Sequence, residues 1–155
     1  MRSLLILCLA LCYIPQVASA EQALAVVVAN NFPEKSISGR DLQLIYKRKL
    51  MFWKSGARIH PVNLAADEAA RKQFSLAVLK SLPEEQASYW NDMYYHGIFP
   101  PHVMASPEAV LRFVADTKGA IGYVQACAID ARVDVILWID AGANISASKP
   151  KLNCP

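Results

Sequence analysis

Thr117-Lys118-Gly119-Ala120-Ile121-Gly122-Tyr123-Val124 is the stretch on which the fold turns, because a helical pattern stops there and a buried strand begins at once. Before it, Val110, Phe113 and Val114 recur on one helical face, and Ser106-Pro107 supplies an N-cap followed by a first-turn proline. Gly119 suits the position just past a helix end, where a left-handed backbone is needed and a Cβ would cost energy. Ala120 to Val124 reads as a short strand, and Gly122 within it leaves room for another backbone or a ligand to come close.

The same alternation runs through the rest of the chain. Leu24-Ala25-Val26-Val27-Val28 is a continuous apolar run, the mark of a strand covered on both faces, as in parallel sheets flanked by helices. Asn30 to Pro33 closes it as a loop. Ser38 stands three residues before Asp41, a variant of the capping box, and Leu42, Ile45 and Tyr46 follow on one helical face. Trp53 to Gly56 reads as a turn into a second strand, Arg58 to Val62, whose Pro61 implies an edge or a strand end. A helix is expected over Ala66 to Lys80, with Ala70, Phe74, Ala77 and Val78 in one stripe. Another follows Pro83, with Glu84 and Glu85 in its first turn and Ala87, Trp90 and Tyr94 on one face. Gly97 to Pro101 breaks it into an extended link, and Val133 to Ile139 is the last strand. Strands alternating with helices predict an α/β domain.

Residues 1–20 have the three parts of a secretory signal peptide: Arg2, the apolar Leu4 to Ile14, and the small-x-small site Ala18-Ser19-Ala20. The apolar core is too short for a permanent bilayer span, which takes about 20 residues, so stable membrane insertion is not expected. Cys8 and Cys12 each follow leucine, where an acylation site wants a small residue. Export to a Gram-negative periplasm with cleavage near Ala20 is the expectation. The domain then spans residues 21–145, and residues 146–155 form a polar tail. Loss of Arg2 lowers the formal net charge from +3 to +2, which leaves no nucleic-acid footprint. Lys47-Arg48-Lys49 is the only basic cluster and reads as a solvated helix end, or else as a contact with a membrane surface or an anionic partner. Cys127 and Cys154 remain in an oxidising compartment, either as one disulfide tying down the tail or as two unpaired thiols.

The sequence contains no hydrolase elbow, Walker loop, dinucleotide glycine fingerprint or zinc-ligand spacing. His60, His96 and His102 are not at i, i+4 spacing, so no metal or cofactor is expected, and no catalysis. Trp53, Trp90, Tyr94 and Tyr95 would suit a stacking platform for bases or sugars, but helical spacing turns Trp90 and Tyr94 toward the core.

Taken in order, Asp41-Leu42-Gln43-Leu44-Ile45-Tyr46-Lys47, Trp53 with Gly56, Ile59 to Val62, Arg71 with Phe74, Tyr89-Trp90, Gly97 with Pro100-Pro101, and Gly119 to Val124 resemble the phosphate-binding proteins of phosphate ABC transporters. The resemblance covers roughly residues 24 to 125 and is strongest to short, single-lobe members. It implies one lobe of a periplasmic binding protein-like (type II) fold, a mixed sheet flanked by helices. Ala25 to Asn30 resembles the strand by which two-lobed members cross into their second lobe.

In larger relatives the loop after the second strand has an Arg-Ser-Asp-Gly-Ser-Gly-Thr type sequence. Its backbone N–H groups, hydroxyls and arginine hold the oxyanion, as helix N-termini and charge-assisted donors do in general. Here the stretch is Asn63 to Arg71. The glycines and hydroxyls are missing, and Asp67 and Glu68 add negative charge. Two readings follow: Asn63 and Arg71 still address a bound oxyanion, weakly, or Asp67 and Glu68 cap the helix and the stretch is structural. Asn30 and Ser36 complete the candidate ligand set, Ser36 and Ser38 offering a second hydroxyl-bearing helix start. The resemblance implies a solute-binding protein for phosphate or a similar oxyanion, working with an ABC permease. The alternative is a ligand-free interaction module that keeps the fold and pairs with itself or another envelope protein through the face a missing lobe would cover.

Overall fold

Leu24–Ala29 forms β1, and its apolar run is explained by position: the strand lies inside the sheet and is buried over almost its whole length. The computed structural model describes residues 22–152 and 154. The predicted signal segment and its cleavage site lie outside them.

After β1 come α1 (Gly39–Tyr46), β2 (His60–Leu64), α2 (Ala69–Phe74), α3 (Ala87–Tyr95), β3 (His102–Met104), α4 (Pro107–Asp116), β4 (Ala120–Gln125), β5 (Val133–Ile139) and β6 (Ile145–Ser146). The six strands form one sheet in the order β3-β2-β4-β1-β5-β6. β2 runs parallel to both β3 and β4, whereas β1 is antiparallel to both β4 and β5. The fold is thus α/β with a mixed sheet, as the resemblance implies. The apolar run of β1 marks a strand covered on both faces, and it is buried as expected; the strand is antiparallel to both neighbours, unlike the parallel sheets such runs typify, because the run reports burial and carries no information on strand direction.

The corner at Gly119 is built as its sequence requires. Ser106 Oγ accepts from the Ala109 amide at the start of α4, and Thr117 ends that helix. Gly119 sits at φ +82°, and a Cβ there would lie 2.2 Å from the carbonyl oxygen of Arg58. Three residues on, the space beside Gly122 is filled by α4 and not by a ligand: an added Cβ would meet Val110 Cγ1 at 2.6 Å. Trp53 closes the corner from outside, its indole N–H donating to the Gly119 carbonyl at 2.9 Å.

Side chains alternate along a strand, so Gly122 meets α4 on one face of the sheet while Tyr123 meets α1 and α2 on the other. Tyr123 stacks on Phe74 with ring centroids 3.8 Å apart, and Phe74 lies 4.5 Å from Tyr46. The capping box at α1 forms as expected: Ser38 Oγ accepts from the Asp41 amide at 3.0 Å, and Asp41 accepts in return from the Ser38 amide. Pro61 stands near the start of β2, the strand-end half of its two readings, for β2 is internal to the sheet.

Two helices differ from expectation. The Ala66 to Lys80 helix starts later, at Ala69, and widens into a π-helical segment over Ser75–Leu79 before Lys80 turns left-handed. In α3 the inward residue is Met93, whereas Tyr94 is 61% exposed and Trp90 half-buried. The inward line is Gln86, Trp90, Met93, offset by one residue from the Ala87, Trp90, Tyr94 stripe. A buried polar residue hid it: Gln86 is satisfied by the Ser81 carbonyl and so sits inside without an apolar side chain. Cys127 and Cys154 form a disulfide, with Cα atoms 5.5 Å apart, that fastens the tail near the end of β4.

Candidate functional site

The residues of the family-like loop meet on the Tyr123 face of the sheet. Asn63, in β2, and Arg71, the third residue of α2, are brought into direct contact: Arg71 Nη1 donates to Asn63 Oδ1 at 2.6 Å. Tyr123 OH donates to the same oxygen at 3.2 Å and accepts from the Leu64 amide at 3.3 Å. Tyr46 OH donates to the Val62 carbonyl at 3.1 Å. Sheet and helix therefore hold one guanidinium, one amide and two phenols in a single buried polar cluster.

The charge in this cluster is not balanced by an acid. Arg71 is only 7% exposed, yet among the described residues no carboxylate lies within ion-pair distance of it. Its Nη1 donates to the neutral Asn63 oxygen. Asn63 is itself buried, and its Nδ2 makes no hydrogen bond to a protein acceptor among the described residues. Burial pushes the Tyr123 phenol up to about 12, an effect the Arg71 cation opposes. Burial also raises Tyr46 well above the ordinary phenol value, with Tyr123 adding to the rise and Arg71 again opposing it. Both phenols are neutral hydrogen-bonding groups across the physiological range, and the local field is that of an uncompensated cation.

Asp67 and Glu68 stay outside, both exposed. Glu68 occupies the N-cap position of α2 but its side chain makes no capping bond. Neither carboxylate fills the role of cap, and neither pairs with Arg71.

The other two candidates lie elsewhere. Asn30 follows the C-terminal end of β1, where its Nδ2 donates to the Ala131 carbonyl at 3.0 Å. Val28 and Pro61 face the same β4 residue, Ile121. Because β1 and β2 run in opposite directions, Asn30 and Asn63 depart from that level in opposite directions, about 13 Å apart along the strands. Ser36 lines a cavity of about 430 Å³ beside Glu34, Asp41 and Trp53, where two carboxylates disfavour an anion. The structure thus unites Asn63 with Arg71 and leaves Asn30 and Ser36 apart from them. Tyr123 and Tyr46 are the cluster members that reading the sequence assigned to fold and core; their only signal is a phenol at a core position, since a buried hydroxyl demands a partner.

Among the described residues no helix is long and apolar enough to cross a membrane. No protein-family model matches the sequence, and no curated protein matches it. Solved structures do. An ABC-type phosphate transport receptor from Vibrio cholerae superposes with a TM-score of 0.60 at 19% identity, over 74% of this chain and 45% of that one. A phosphate ABC transporter substrate-binding protein from Clostridium perfringens, solved with bound phosphate, gives 0.60 at 20% identity, over 74% and 44%. PstS from Borrelia burgdorferi gives 0.59 at 18%, over 74% and 46%. The chain spans less than half the length of these receptors, and over that length, corresponding to one lobe, it has the fold of phosphate ABC transporter substrate-binding proteins.

Proposed function

We propose that the protein is an exported, non-catalytic binding module that holds phosphate or a similar small oxyanion on Arg71 and Asn63. The observation that carries this reading is a buried guanidinium whose partner is a neutral amide. Burying a cation without a counter-charge is expensive, and a bound oxyanion supplies that charge through the charge-assisted bonds that guanidinium groups form best. The bound phosphate of the Clostridium perfringens neighbour supports the ligand class. Binding is weak, because Asp67 and Glu68, both exposed, place negative charge just before α2. Export rests on the signal-like first twenty residues and accords with the Cys127–Cys154 disulfide, which persists in oxidising compartments. An ABC permease is the partner that suits a transport receptor fold.

Calorimetric titration with inorganic phosphate at low and high salt tests the assignment. Binding that weakens with salt and falls at least tenfold in Arg71→Gln is expected. No heat and no thermal shift at millimolar phosphate overturn it.

A second reading, an interaction module without ligand, is favoured by one observation: Tyr94, Tyr95, Phe99 and Val103 are all exposed around α3 and β3. Tyr94 lies against both Tyr95 and Phe99, with centroids 6.4 and 5.4 Å apart. An apolar grouping of this kind suits self-pairing or an envelope partner. Sedimentation showing only monomer at high concentration removes the self-pairing form of this reading.

A further inference from the structure

At the start of β2, away from Arg71, lies a second cavity of about 390 Å³ between the end of α1 and the segment leading into β3. Arg48, Arg58, His60 and His102 all line it, and among the described residues no acidic one does. Met51, Ile98 and Phe99 supply an apolar wall, held by Gly97 at φ +72° on one side and Pro100-Pro101 on the other. From these features we infer a binding site for a small organic anion, with an oxyanion headgroup on Arg48 and Arg58 and an apolar body against Met51, Ile98 and Phe99.

Three observations support the headgroup. Arg48 Nε is buried with no hydrogen-bond partner among the described residues, and the Nη1 bond to the Ile59 carbonyl is long, at 3.4 Å. A buried, unmatched donor on a cation is the group an oxyanion satisfies. The backbone of Arg48 is left-handed, at φ +57°, a conformation in which glycine is unstrained and arginine is not. The side chain is therefore carried at a position the backbone alone would give to glycine. Finally, like charges crowd one another. Burial lowers the pKa of Arg48 and Arg58 lowers it further; burial lowers His60, with Arg58, Arg48 and His102 acting in the same direction. An anion relieves that repulsion, and a low-dielectric cleft lined by one sign of charge concentrates it.

The apolar body follows from size and lining. The volume is that of a small-molecule site, whereas an inorganic oxyanion has the bulk of a few waters at about 30 Å³ each and leaves most of the cavity unfilled. Phe99 and Ile98 offer nothing to such an ion and a contact surface to an aromatic or alkyl group.

The test is titration of the protein with phenyl phosphate, inorganic phosphate and phenol, followed by calorimetry and by backbone amide shifts. Phenyl phosphate is expected to bind at least tenfold more tightly than either fragment, with shifts at residues 48–61 and 97–102. Arg48→Gly relieves the left-handed strain and so keeps the fold, which a thermal melt verifies, while phenyl phosphate binding drops at least tenfold. Arg58→Gln weakens it similarly. Arg71→Gln leaves the phenyl phosphate shifts at residues 48–61 and 97–102 unchanged, which separates this site from the proposed phosphate site. Phenyl phosphate binding at those residues no tighter than that of its fragments, undiminished shifts in Arg48→Gly, or their loss in Arg71→Gln each overturns the proposal.

Discussion

Gly119 faces the main chain of Arg58 so closely that a single added carbon would stand 2.2 Å from the Arg58 carbonyl oxygen. The obstacle is backbone, so no rotamer change relieves it, and the left-handed φ of +82° adds about 1–2 kcal/mol of its own for any L side chain. Gly119→Ala is therefore expected to cost about 3 kcal/mol, the upper end of ordinary single substitutions. A melting temperature lowered by about 10 °C is the corresponding readout.

Gly122 is constrained differently, by side chains. Its added Cβ would lie 2.6 Å from Val110 Cγ1 and 3.1 Å from both Val114 Cγ2 and Val62 Cγ2. Overpacking of this kind costs about 1–3 kcal/mol. Val110→Ala, destabilising by itself through the cavity it leaves, should recover about 1 kcal/mol when combined with Gly122→Ala, as coupled neighbours do. Strict additivity in the double-mutant melt would show that the crowding does not involve Val110.

These two glycines mark how far the sequence could be read. Gly119 follows a helical stripe directly, and only one backbone conformation reconciles the two, so the corner was legible. Gly122 signalled a close approach, but a missing side chain does not say whether helix, backbone or ligand fills the gap; α4 does. The direction of β1 was illegible for a similar reason, since apolar residues record burial and not polarity of pairing. At the candidate site, Asn63 and Arg71 were legible only through resemblance, and Tyr123 was absorbed into the core pattern because its hydroxyl interrupts no periodicity. Arg48 looked like a solvated charge at a helix end. Its buried Nε depends on the packing of loops distant in sequence, which no local pattern encodes.

The disulfide closes a loop with a sequence separation of 27 residues. By the chain-entropy relation, constraining such a loop in the unfolded state stabilises the fold by about 3–4 kcal/mol. Reduction should lower the melting temperature markedly, and Cys127→Ser with Cys154→Ser should reproduce that loss without reductant. Thiol titration of the exported chain under denaturing, non-reducing conditions is expected to find no reactive thiol; two would show the bridge absent.

Acid should weaken the fold in two steps. His60 has its pKa lowered from 6.5 by burial first and then by Arg58, Arg48 and His102. The unfolded chain then holds the proton more readily than the folded one, so the contribution is present above the unfolded value and is lost as pH falls through the folded value. Glu108 and Asp130 are lowered from 4.5 and 3.8, chiefly by their hydrogen bonds to Arg132. The sign is the same and the window lower. Melting temperature followed from pH 8 to pH 3 should fall first near and below 6.5, a step absent in His60→Gln, and again below about 4.5. Arg132→Gln should reduce the second step. A melting temperature that rises on acidification through 6.5 would contradict the His60 assignment.

Asn63→Asp separates a ligand site from a purely structural cluster at Arg71. The substitution changes one amide to a carboxylate of nearly the same shape, 2.6 Å from the guanidinium nitrogen in the native contact. It supplies internally the counter-charge that a bound oxyanion would otherwise bring. Closely paired and hydrogen-bonded buried charges of this kind are tolerated when each has its partner, so the fold should persist with a melting temperature within a few degrees of the parent. Phosphate binding should be abolished, because the added anion repels the ligand and occupies its donor. Asn63→Ala removes the Oδ1 acceptor and leaves Arg71 and Tyr123 OH without it; it should lower stability by about 1–3 kcal/mol while retaining an Arg71-dependent affinity for phosphate. Undiminished phosphate binding in Asn63→Asp would place any bound anion away from this pair, and calorimetry alongside thermal melts of the two variants distinguishes the cases.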